Sequence, residues 1–134
     1  MPRLPGIMTL HILLVDDDGD VRPVLVEMLR EAGYAATPAD SGAAMREILT
    51  RQASAVDAVV LDCQMPGEPS AQLALHAKNL RLPVVMISGS MEAMQFAEEN
   101  GLQLLTKPFR LPDLLNAIDE AIGSGEFGQR GAPS

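Results

Sequence analysis

The sequence predicts an α/β domain in which a five-stranded parallel sheet is covered by helices on both faces. Short apolar runs alternate five times with stretches whose apolar residues recur at helical spacing. Repeated β-then-α units with right-handed crossovers give a doubly wound sheet. Polar residues stand where the strands should end, the edge at which such sheets bind ligands. A chain of 134 residues, 47% apolar, suffices for one packed core.

Each element has its own signal. His11 to Val15 is a continuous apolar run, the form of a strand buried on both faces. Val21, Val24, Leu25, Met28 and Leu29 follow at helical spacing, and Gly33 stops that helix. Ala35 to Thr37 is a weak second strand. Asp40 and Ser41 are capping types ahead of a helix through about Ala53, with Ala44 and Ile48 inward and Met45 a further candidate. Asp57 to Leu61 is the third strand, MPGEPS a turn, and Ala71 to about Leu80 a helix. Pro83 to Ile87 is the fourth strand, Met91 to Asn100 a helix closed by Gly101, and Leu102 to Thr106 the fifth strand. Leu111, Leu114, Leu115, Ile118 and Ile122 form the apolar stripe of a last helix that begins near Pro112 and Asp113. The domain is thus expected over 9–122, with an N-terminal tail at 1–8 and a flexible, glycine-rich tail at 123–134.

Charge and composition exclude several functions. Ten basic against eighteen acidic residues give a net charge of −8, without a local Lys/Arg cluster, so direct nucleic-acid binding is not expected. The single cysteine, Cys63, forbids an internal disulfide or a multi-cysteine zinc site and suits a reducing cytoplasm. No apolar run approaches the about 20 residues of a membrane span, and MPRLPGIM is no signal peptide.

The chemistry lies at the strand ends. Asp16 and Asp17 close the first strand, Asp62 the third, Ser88 the fourth and Lys107 the fifth. Adjacent carboxylates beside a buried strand repel unless a cation compensates them. Few protein ligands, with room for waters and phosphate oxygens, suit Mg²⁺ better than a caged Ca²⁺. Lys107 offers a compact positive charge and Ser88 a hydroxyl donor to a phosphoryl group. Asp62 is then left as a nucleophile able to form an aspartyl phosphate. Singly, each residue reads more plainly: an Asp-Asp-Asp run is usually a solvated turn, Ser88 a strand-end hydroxyl, Lys107 a solubilising charge. A calcium loop would take Asp16, Asp18, Asp20 and Glu27, but Val21 replaces its glycine and a strand precedes it. His11 and His76 stand apart from any ligand set. Met86, Met91 and Met94 read as core filler.

In the order ILLVDDD, VVLDCQMPG, VVMISG and LLTKPF, these segments resemble those of a response-regulator receiver domain across nearly all of 9–122. The resemblance implies a flavodoxin-like (βα)5 fold with strand order 2-1-3-4-5. It makes Asp62 the phosphoacceptor, Asp17 the main Mg²⁺ ligand, Asp16 a supporting acid acting partly through water, and the carbonyl of Gln64 a further ligand. Ser88 and Lys107 would bind phosphoryl oxygens, the Lys107–Pro108 bond would be cis, and Gln64 and Ser90 would tune hydrolysis. The donor would be a sensor histidine kinase or histidine phosphotransfer protein, docking on Val21, Arg22, Leu25 and the turn at Pro108 and Phe109. A downstream protein partner and a monomer or weak homodimer are also implied, with no chemistry beyond self-catalysed phosphoryl transfer and dephosphorylation.

Two other readings use the same residues. A haloacid-dehalogenase-like phosphatase would make Asp16 the nucleophile, but the chain is short for one, lacks the late acidic pair and leaves Asp62 unemployed. A docking module that never takes phosphate would have no use for the intact set. The chain also departs from the receiver pattern. Leu104 stands where an aromatic residue usually couples phosphorylation to the outer surface, Glu68-Pro69-Ser70 replaces the usual turn, and the spacings around Ser88 are short. An unconventional output is therefore expected.

Overall fold

A computed structural model describes residues 9–124. The elements in chain order are β1 (His11–Val15), α1 (Val21–Glu31), β2 (Ala35–Ala39), α2 (Gly42–Gln52), β3 (Ala58–Asp62), α3 (Ser70–Asn79), β4 (Val84–Ser88), α4 (Met91–Asn100), β5 (Gln103–Thr106) and α5 (Leu111–Ser124). A short 3₁₀ turn at Ala53–Ala55 follows α2. The strands pair in parallel in the order β2-β1-β3-β4-β5, the order expected. Gly123 and Ser124 continue α5 rather than starting a tail. The rest of the two expected tails, 1–8 and 125–134, lies outside the described residues.

The three central strands carry the fold because both of their faces are apolar. Alternate side chains go to opposite faces of the sheet. Ile12, Leu14, Val60, Val85 and Ile87 pack with α1 and α5, through Leu25, Leu29, Leu114 and Ile118. Leu13, Val15, Val59, Leu61 and Met86 pack with α2, α3 and α4, through Met45, Leu49, Leu73 and Ala97. The inner face of α2 is centred on Met45 and Leu49, with Ala44 and Ile48 half-buried beside them. β2 is an edge strand, which is why it tolerates an exposed Pro38. Tyr34 anchors its start to α5 by donating to Asp119 Oδ1 at 3.0 Å. Burial and that carboxylate push the phenol up to about 12.

Close approach fixes α2 against α3. A Cβ on Gly42 would lie 2.9 Å from Leu73 Cδ1, so a larger residue would force the Leu73 side chain aside. Three helices end in the same way, by a reversal into the left-handed region. Gly33 (φ 103) and Gly101 (φ 68) make it after α1 and α4, as the sequence predicts. After α3 the same turn falls on Arg81 (φ 66), with Arg81 N donating to Lys78 O at 2.8 Å and Leu82 N to Ala77 O at 3.0 Å. An L side chain there is strained by about 1 kcal/mol. Arg81→Gly should therefore raise stability by up to about 1 kcal/mol, the gain shrinking as glycine's unfolded-state entropy offsets it. Denaturant titration checks this; a lower midpoint would refute it.

Candidate phosphoacceptor site

The site is a product of strand register. Val15 lies opposite Leu61, and Asp62 opposite Ile87, so β1, β3 and β4 end nearly level. Asp16 continues β1 by donating its amide to Ala39 O at 3.0 Å. Asp62 is the last residue of β3, and Ser88 the last of β4. Lys107 continues β5, its amide donating to Ser88 O at 3.2 Å. The Lys107–Pro108 peptide is cis.

Three carboxylates meet at this edge. Asp16, Asp17 and Asp62 each offer an oxygen within 4.8 Å of the others. Asp16 and Asp62 are buried, at 7% and 5% exposure, and Asp17 is open to solvent. Burial, and then the charge of Asp62, raise the Asp16 carboxyl above its ordinary value, while the Asp18 amide and Lys107 oppose the rise. One lysine is insufficient compensation for three acids. Hard oxygen donors, close together and partly desolvated, are a set that fits a divalent cation.

Lys107 and Gln64 surround the Asp62 carboxylate. Lys107 Nζ donates to Asp62 Oδ1 at 3.2 Å and to Gln64 Oε1 at 3.1 Å. The Gln64 amide donates to the same Asp62 oxygen at 3.0 Å. Ser88 is fully buried and engaged elsewhere. Its hydroxyl donates to Ser90 Oγ at 3.3 Å and accepts the Ser90 amide at 3.0 Å. Ser90 in turn caps α4 by accepting from the Ala93 amide at 3.1 Å. The structure thus gathers Asp16, Asp17, Asp62, Gln64 and Lys107, and sets Ser88 and Ser90 together beside them. Leu104 is half-buried against the core on the α4 side, with Phe96 and Leu102.

Several contributors carry no distinctive sequence signal. Asp18 belongs to the acidic run but not to the cluster. Its carboxylate accepts from the Asp20 and Val21 amides at 2.8 and 3.1 Å, which starts α1 and holds the carboxyl below its ordinary value. Arg22 donates to the Asp16 carbonyl at 2.8 Å and so steadies the acidic turn from inside the helix. Two expectations need correction. Leu25 is 8% exposed and belongs to the core, so it cannot be part of a docking face; Val21 and Val24 are the exposed apolar residues of α1. Met86 is core filler as expected, but Met91, 81% exposed, and Met94 are on the surface of α4.

A buried carboxylate grouped with two further acids and a lysine at the carboxyl edge of a 2-1-3-4-5 sheet defines a class of phosphoryl-accepting domain. The response regulator receiver domain family matches residues 12–119, and the chain belongs to that family. The response regulator receiver protein CpdR of Brucella abortus is 33% identical over 84% of this chain and 96% of its own length. The transcriptional regulatory protein GlrR of Escherichia coli is 32% identical over 84% of this chain, but the match spans only 26% of that protein. A crystal structure of a response regulator receiver protein from Sinorhizobium medicae superposes with a TM-score of 0.76 at 28% identity, covering 89% of this chain and 98% of the other. The family assignment displaces the phosphatase reading. As a receiver, the domain is a phosphoacceptor of two-component signalling whose own chemistry is confined to phosphoryl gain and loss. No helix among the described residues is long and apolar enough to cross a membrane.

The raised Asp16 carboxyl has a testable sign. Below the ordinary value of 3.8 the group is protonated in folded and unfolded chains alike and contributes nothing. As pH rises past 3.8 the unfolded chain ionises first, so the group's cost to stability grows until the pH exceeds the raised value. Asp16→Asn, which keeps an acceptor for the Asp18 amide (2.9 Å), should therefore stabilise the metal-free protein at neutral pH and not at pH 3. Thermal melts in chelator check this.

Proposed function

We propose that Asp62 is the residue phosphorylated, in a Mg²⁺-dependent reaction, and that a sensor histidine kinase or histidine phosphotransfer protein is the donor. The observation that supports this best is the environment of Asp62: a buried carboxylate at a strand end, within reach of two acids on one side and Lys107 on the other. Asp16, Asp17, Asp62 and the carbonyl of Gln64 would hold Mg²⁺, which when bound supplies positive charge to the phosphoryl oxygens.

The chain's own residues set the rest of the chemistry. A carboxylate oxygen of Asp62 attacks phosphorus; the P–O bond forms as the P–N bond to the donor imidazole breaks, and the electron pair leaves on that nitrogen, which takes up a proton. Lys107, already at Asp62, neutralises charge on the transferred group. Ser88 offers a hydroxyl proton to a phosphoryl oxygen once it releases Ser90. Gln64 and Ser90 stand at the flanks, where they limit the approach of water. The donor would dock on the exposed face of α1, through Val21, Val24 and Arg22, and on the Pro108–Phe109 turn. The match spans nearly all of one receiver relative and about a quarter of a transcriptional one. A downstream protein partner would be reached through the switched surface.

Mass spectrometry after incubation with acetyl phosphate and Mg²⁺ tests the assignment. The wild-type chain should gain one phosphoryl group, and Asp62→Asn should gain none. Labelling retained by Asp62→Asn would transfer the role to another acid, Asp16 first. Lys107→Ala should still be labelled, more slowly by on the order of tenfold or more, and its labelled form should show a weakened conformational response. Amide chemical shifts before and after labelling measure that response; a full one in the variant would contradict the role given to Lys107.

A further inference from the structure

The loop leading out of Asp62 is held by an ion pair that lies outside the acidic cluster. It runs from Cys63 to Pro69, between β3 and α3, with Gln64 near its start and Glu68 near its end. Arg46 of α2 grips Glu68 with two groups. Its Nε donates to Oε1 at 2.8 Å and to Oε2 at 3.0 Å, and its Nη2 donates to Oε2. A planar fork of this kind fixes the carboxylate's orientation as well as its distance. The pair is partly screened from water, at 38% and 26% side-chain exposure. Arg46 also comes from a fixed platform, because Gly42 lets α2 sit directly on Leu73 of α3.

The other end of the loop belongs to the site. Gln64 gives its amide to Asp62 Oδ1 at 3.0 Å and accepts Lys107 on its side chain at 3.1 Å. Only Met65, Pro66 and Gly67 separate the two anchors, and Pro66 removes one rotation from that short link. With three residues between the anchors, one of them turning at Gly67 (φ 96), the position of Glu68 restricts the path open to Gln64.

We infer that Arg46 and Glu68 are positioning residues for the phosphoacceptor site: by clamping the β3–α3 loop they hold Gln64 against Asp62 and Lys107, and so set the site's affinity for its divalent cation. This rests on the reading of Asp16, Asp17 and Asp62 as the cation's ligands, and two readouts keep the two claims separable.

The full chain is compared by NMR as wild type, Arg46→Ala, Glu68→Gln and the double reversal Arg46→Glu/Glu68→Arg. Without metal, the Gln64 amide should exchange with solvent roughly two- to fivefold faster in either single variant, the factor open to a partly exposed ion pair, while amides of β1 and β3 keep their rates. Titration with Mg²⁺ alone should show affinity weakened by a similar factor. The double reversal should recover both properties. Unchanged Gln64 exchange in both single variants overturns the inference, and so does a double reversal no better than the singles. A wild-type chain indifferent to Mg²⁺ would defeat the reading of the acidic cluster, whereas accelerated Gln64 exchange in the same samples would still uphold the clamp.

Discussion

The repulsion among Asp16, Asp17 and Asp62 is the constraint around which the rest of the molecule is arranged. Two of these acids are almost wholly buried, and their oxygens lie within 4.8 Å of one another and of the third. Such a cluster is unfavourable by itself, because desolvation strengthens repulsion between like charges. The chain meets part of the cost with fixed donors: the Asp18 amide on Asp16, and the Gln64 amide and Lys107 on Asp62. Those donors leave an excess of negative charge, and that excess makes the edge receptive to a cation and then to a phosphoryl group.

Such an edge can persist only if the sheet beneath it is rigid. β1, β3 and β4 are buried on both faces, and a slip of one residue would exchange every side chain between the two core clusters. Register is therefore specified by packing, and the positions of Asp16, Asp62 and Ser88 follow from register. The loops then need only small adjustments. Asp18 starts α1, Ser90 starts α4, and the Arg46–Glu68 pair restrains the loop after β3. Helix starts and site residues are thus neighbours in the same loops, so a change at the site is felt first by the helix ends.

What the sequence made legible divides along the same line. Strands, order of elements and the polar residues at strand ends were readable, because continuous apolar runs and residue type carry those signals locally. Strand boundaries moved by a residue or two, with β3 running through Asp62 and β4 through Ser88. Faces of helices were less readable. Leu25 and Val24 are adjacent and equally apolar, and only the angle at which α1 meets the sheet decides that one is core and the other surface. Met91 and Met94 have core chemistry in an exposed place. Partnerships across the fold were not readable: nothing in Glu68 announces Arg46 twenty-two residues earlier, and nothing in Arg81 marks a left-handed turn that glycine usually takes.

Leu104 and Ser88 differ in the contacts open to them. Leucine has no polar group to exchange between an inner and an outer partner, so the position three residues before Lys107 cannot report by hydrogen bonding. Ser88 can, because its hydroxyl has a single proton. While that proton is given to Ser90 Oγ it is not given to a phosphoryl oxygen, and Ser90 Oγ is the same atom that caps α4 through the Ala93 amide. Were that proton given to a phosphoryl oxygen, the contact with Ser90 would require Ser90 Oγ as its donor instead. The pair joins the end of β4 to the first turn of α4, where Met91 and Met94 face solvent. The Ser88–Ser90–Ala93 hydrogen bonds are thus a polar connection from the end of β4 to the surface of α4.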